Sequence, residues 1–125
     1  MKIIKTLFVL SLFVLSTNVF SQKLPDNYEA IFTELIDNVE LIRSGNSLKK
    51  GIHTLTVFSK EKIVLRTTYN KQVKNLTFVK EATEDNKMVW VAANQLTTDM
   101  VDRHEEDLTE MFMEMLELSR KKAKI

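Results

Sequence analysis

Cysteine is missing from all 125 residues, and glycine, histidine and proline are scarce at two, two and one. Each shortage removes a class of chemistry. Without a thiol there is no disulfide framework, no thiolate nucleophile, no Cys-ligated metal and no lipidated N-terminal cysteine. The fold must therefore be held together by its core. Two glycines, Gly45 and Gly51, do not build a phosphate-cradling loop, which needs several at fixed spacing. No Gly-x-Ser-x-Gly elbow occurs, so no serine sits on the strained turn that exposes a nucleophile.

Long apolar runs are missing too. Lys2 and Lys5 precede an apolar stretch from Leu7 to Leu15, broken by Ser11, and Val19-Phe20-Ser21 follows. This is the layout of a cleaved secretory signal. Its core of about 9 residues falls short of the ~20 that span a bilayer as a helix. Cleavage after Ser21 is expected. It leaves Gln22–Ile125 as one domain, periplasmic or secreted from a bacterium, with no stable membrane anchor.

Charge is balanced in sum, 18 bases against 17 acids, but segregated along the chain. Residues 22–45 carry −3, and residues 46–87 hold nine bases against four acids. Residues 88–117 set Arg103 against eight acids, and the last eight residues carry +4. Such blocks fit acidic helices and a lysine-bearing sheet, or an electropositive sheet facing an anionic partner.

Periodicity supplies the elements. Asp26 and Glu29 form a capping-box pattern after Pro25. Tyr28, Ile31, Phe32, Leu35, Ile36, Val39 and Ile42 then recur at steps of three and four, which predicts a helix over 27–44 ended by Gly45 and Asn46. Between residues 51 and 93 the period drops to two and β-branched residues take over. Four strands are predicted, at 52–59, 62–69, 73–82 and 87–93. Their joints of two to four residues force antiparallel hairpins. A second helix is predicted from 94 onward, capped near Thr97 or Thr98 and fraying after Lys121. Its apolar seam is Val101, His104, Leu108, Met111, Met115 and Leu118, at heptad spacing. Early acids and late bases suit the helix dipole.

The expected architecture is an α+β two-layer sandwich, α-β-β-β-β-α, with helices on a four-stranded antiparallel meander. The helix-then-meander order is similar in outline to cystatin-like folds and to the fold of nuclear transport factor two, but no motif of either family stands in the sequence.

Catalytic constellations are not found. The string at 104–108 resembles the opening of a zinc-protease helix, but Leu108 stands where the second imidazole is required. His53, at the start of a strand, has no carboxylate or cysteine partner nearby in sequence. Glu106, Glu110 and Glu114 share a helix face, which predicts a solvated acidic surface rather than a tuned carboxylate pair. No catalytic residue, cofactor or metal ligand is assigned.

Two features remain as candidates. Lys62, Arg66, Lys74 and Lys80 are interleaved with Phe58, Tyr69, Phe78 and Trp90, a pattern suited to an anion-binding sheet surface. Trp90, Met111 and Met115 are candidates for a pocket or interface, with Met113 on a second apolar edge of the last helix, since methionine adapts to irregular partners. Export makes nucleic acid an unsuitable partner. The sequence thus points to an exported, non-catalytic binding or interaction module for an unknown protein, with homodimerisation through the last helix as one mode. The alternative is a carrier or sensor of a small anionic or amphiphilic ligand held between sheet and helices.

Overall fold

A computed structural model describes residues 24–42 and 46–124. The proposed export signal lies outside the described residues. Helix α1 spans Asp26–Ile42, five strands follow (β1 Ser47–Lys50, β2 His53–Ser59, β3 Lys62–Tyr69, β4 Gln72–Ala82, β5 Met88–Ala92), and α2 spans Gln95–Ala123. The strands form one antiparallel sheet in sequence order, β1 to β5. The fold is α+β and the meander is as predicted, with one more strand than expected.

The added strand, Ser47-Leu48-Lys49-Lys50, carries a single apolar residue, so period and propensity give no signal there. Its pairing with β2 through Lys50↔His53 closes the two-residue turn Gly51-Ile52. Gly51 has φ +59, and glycine first in a two-residue hairpin suits a primed turn. At the β3–β4 turn both central residues have positive φ, Asn70 at 49 and Lys71 at 64, the requirement of a type I′ turn, whose twist matches that of paired strands.

Strand register divides the sheet into two faces. One face carries the row Leu48, Leu55, Leu65, Leu76 and the row Val57, Ile63, Phe78, Ala92. All eight are buried beneath the helices. The α1 stripe supplies Tyr28, Ile31, Phe32, Leu35, Ile36 and Val39 to the same core. Phe32 is the hub, with ring centroids 5.2 Å from Phe78, 5.1 Å from Trp90 and 5.0 Å from Phe112. Fully burying each such side chain contributes roughly 1.5–3 kcal/mol, so this cluster holds the fold together without any cross-link.

Helix α2 departs from the sequence reading in two ways. Its cap is Asn94, whose side chain accepts the Thr97 N–H at 2.9 Å. Thr97 instead turns its hydroxyl to the sheet, accepting the Thr77 N–H at 2.9 Å and donating to Asn94 Oδ1 at 2.8 Å. The helix also breaks at His104, which has φ −133 and ψ 35. The run Glu105-Glu106-Asp107 therefore opens a second helical segment, where acids offset the positive end of the dipole. The predicted seam shifts accordingly. Beyond the break Leu108, Phe112, Met115, Leu116 and Ser119 are buried, while Met111 and Leu118 are only partly so.

Across the break, α1 supports α2. The Tyr28 hydroxyl donates to the Glu105 carbonyl at 3.5 Å and accepts from Thr109 Oγ1 at 3.3 Å. Burial pushes the Tyr28 phenol above its ordinary pKa, with the Glu105 charge adding to the rise and the Thr109 bond opposing it. Near the C-terminus Arg120 grips Glu34 of α1 with two guanidinium nitrogens, Nη2 lying 2.9 Å from Oε1. That grip holds the Glu34 carboxyl below its usual range.

Candidate functional site

Strand alternation sends the next residues to the opposite face. Its rows are Lys49, Thr54, Arg66, Asn75, then Ser47, Thr56, Val64, Thr77, then Thr68 with Val73. Both described helices pack on the inner face. On the outer face Ile52, Phe58 and Val73 are 63%, 59% and 54% exposed. They line a trough of about 520 Å³ whose floor is Thr54, Thr56, Val64 and Thr68 and whose polar walls include Lys49 and Arg66. Lys62 stands over the Phe58 ring, with its ammonium 5.2 Å from the centroid.

Large apolar side chains left more than half exposed, gathered on one concave surface among cations, mark an interaction face more often than an accident of composition. The charge has one dominant sign. Lys49, Lys62 and Arg66 point outward from this face, and Glu81 is the acid of the same alternation. The acids of α2, Glu106, Asp107, Glu110 and Glu117, are exposed on the other layer. The outer sheet face is thus basic, while the helix layer carries these acids together with the bases Arg120, Lys121 and Lys122 in the last turn of α2.

The four predicted sheet cations are not brought together. Lys62 and Arg66 lie on the outer face. Lys74 pairs with the inward Thr67 and Lys80 with the inward Trp90, so alternation places both on the helix side. The Lys80 ammonium lies 5.6 Å from the Trp90 ring centroid. Lys74 faces a cleft of about 230 Å³ at the break in α2, walled by Tyr69, Leu96, Arg103 and His104. The Tyr69 hydroxyl lies 3.2 Å from His104 Nδ1, and the two rings pack at 4.5 Å between centroids.

The candidates for a pocket or interface divide between core and cleft. Trp90 and Met115 are each 1% exposed, and the Phe32 ring packs edge-on against the indole at 5.1 Å between centroids. Trp90 Nε1 is buried and has no hydrogen-bond partner among the described residues. Met111 borders a small cleft of about 180 Å³ with His53, Asp107, Glu110 and Glu114. Met113 is 42% exposed. His53 Nδ1 is held 2.6 Å from Thr67 Oγ1. Among the described residues no group of three or more histidines and carboxylates has the geometry to hold a metal, and no helix is long and apolar enough to cross a membrane.

Sequence reasoning missed Lys49 because its strand was missed, and missed Ile52 and Val73 because both were counted as ordinary strand residues. Only the pairing Thr68↔Val73 reveals that Val73 faces away from the core. No known family model, curated protein or solved structure matches this chain.

Proposed function

We propose that this chain is an exported, non-catalytic interaction module that receives an acidic partner protein on the outer face of its sheet. The observation that carries it is the trough where exposed Ile52, Phe58 and Val73 stand among Lys49, Lys62 and Arg66. Two copies meeting face to face would set these cations against each other, which disfavours a symmetric pair through this surface. An acidic partner gains both apolar burial and charge complementarity, the second of which speeds encounter more than it adds affinity. The carrier reading is less well supported, because aromatic rings occupy the space between the layers beside Trp90.

A photo-crosslinking amino acid at position 58, in the protein expressed in its host, tests the proposal. The expected result is one discrete adduct on the processed Gln22–Ile125 form, lost when Arg66→Glu is added and weakened by salt. A probe at position 113 on α2 serves as the control. Equal adducts at both positions, or an adduct indifferent to Arg66→Glu, would refute the proposal.

A further inference from the structure

Strand β4 outlasts its neighbour. It runs from Gln72 to Ala82, but β5 pairs only with Phe78–Ala82. At Thr77 the chain turns away. The Ala93 N–H donates to the Thr77 carbonyl at 2.9 Å, and the Thr97 hydroxyl accepts the Thr77 N–H. Lateral direction alternates along a strand as side-chain direction does. Asn75 and Val73 therefore aim their N–H and C=O groups at the same side as Thr77, where no strand lies among the described residues. Both residues are exposed.

The other edge on this side is managed. Glu29 of α1 reaches β5 and accepts the outward Trp90 N–H at 3.3 Å, blocking that strand as a template. Among the described residues nothing equivalent covers Val73 and Asn75. The cleft of about 230 Å³ at the break in α2 opens beside this same stretch, lined by Gln72 and Lys74 from β4 and by Leu96, Asp99 and Arg103 from α2.

We infer that the free edge of β4 at Val73–Asn75 is a strand-addition site for an extended, acidic segment of a partner protein. The inference rests on the interaction-module reading and names the form of the partner. A strand laid about 4.8 Å from β4 exchanges backbone hydrogen bonds with Val73 and Asn75. Its alternate side chains enter the cleft, while the others reach the rim of the outer trough beside Val73. Chemistry selects the sign of charge. Lys74 faces the cleft from the sheet and Arg103 from the helix, while Asp99 is held by Gln95 Nε2 at 2.8 Å. An inward-facing lysine on an open edge repels indiscriminate apolar strands. Here it admits a strand that brings carboxylates to meet it.

The test titrates the processed protein with a blocked heptapeptide alternating glutamate and valine, and with its lysine-for-glutamate counterpart. The readout is amide hydrogen exchange by NMR. The glutamate peptide should slow exchange at Val73 and Asn75, and Lys74→Glu with Arg103→Glu should shift preference to the lysine peptide. Asn75→Pro deletes an outward N–H while sparing the β3–β4 ladder, and should weaken binding roughly tenfold or more. The charge-reversal pair gives an independent answer if the proline variant does not fold. Equal binding of both peptides, unchanged exchange at Val73 and Asn75, or full binding by folded Asn75→Pro would overturn the inference. A position-58 adduct that persists in Asn75→Pro would sink the edge site while sparing the outer-face reading.

Discussion

Thr97 joins the two layers through one hydroxyl, and replacing it separates hydrogen bonding from packing. Thr97 is fully buried, accepts the Thr77 N–H at 2.9 Å and donates to Asn94 Oδ1 at 2.8 Å. Thr97→Val keeps the shape and the β-branch but strips both bonds. The Thr77 N–H, next to the filled end of β4, loses its partner, which costs about 1–3 kcal/mol. Thr97→Ser keeps the hydroxyl and deletes one methyl, a loss of about 0.8 kcal/mol. The variant of equal volume should therefore be the less stable one. At about 2 kcal/mol, Thr97→Val lowers Tm by roughly 10 °C in a domain of about 100 residues. Urea unfolding followed through the single tryptophan, which lies in the core, reads both variants directly. If Thr97→Val matches the wild type, or proves more stable than Thr97→Ser, packing rather than hydrogen bonding governs this junction.

Two further outcomes follow from burial. Because the Tyr28 phenol is raised above 10.0 in the fold, the unfolded chain surrenders that proton first. The contribution is complete below the ordinary value and is lost as pH rises through and past it. Wild-type stability should fall more steeply than that of Tyr28→Phe between about pH 9.5 and 11, and parallel curves would refute the assignment. Met115→Asp places a charge at a 1% exposed site and should abolish cooperative unfolding. Met113→Asp, at a 42% exposed site, should change stability by less than about 0.5 kcal/mol.

Legibility of the fold varied with the source of each element's stability. Helix α1 and strands β2 to β4 follow from period and turn chemistry, because their own side chains carry the burial pattern. Strand β1 does not, since one leucine among serine and lysines encodes no period and its order comes from pairing with β2. The break at His104 is hidden for a related reason. Histidine is compatible with a helix, and what holds the break is Tyr28, from a helix 77 residues away in sequence, together with Tyr69 of the sheet.

For the candidate site the difference is one of parity. Lys62, Arg66, Lys74 and Lys80 look alike in the sequence, and only strand register shows that two face outward and two face the helices. Ile52 and Val73 look like core strand residues, but Ile52 falls in the β1–β2 turn and pairing with Thr68 turns Val73 outward. Trp90, Met111 and Met115, candidates for a pocket or interface, divide in another way: the core absorbs positions 90 and 115, and Met111 stays partly buried at its edge.

The sequence by itself determined the class of fold, the antiparallel meander, the acidic helices and the absence of thiol chemistry. Those properties are local, carried by side-chain period, short joints and composition. Tertiary structure alone decided which cations share a face, where α2 breaks, and which stretch of β4 has no neighbouring strand among the described residues. Each depends on contacts between distant segments, and a shift of one residue in register would exchange the two faces of the sheet.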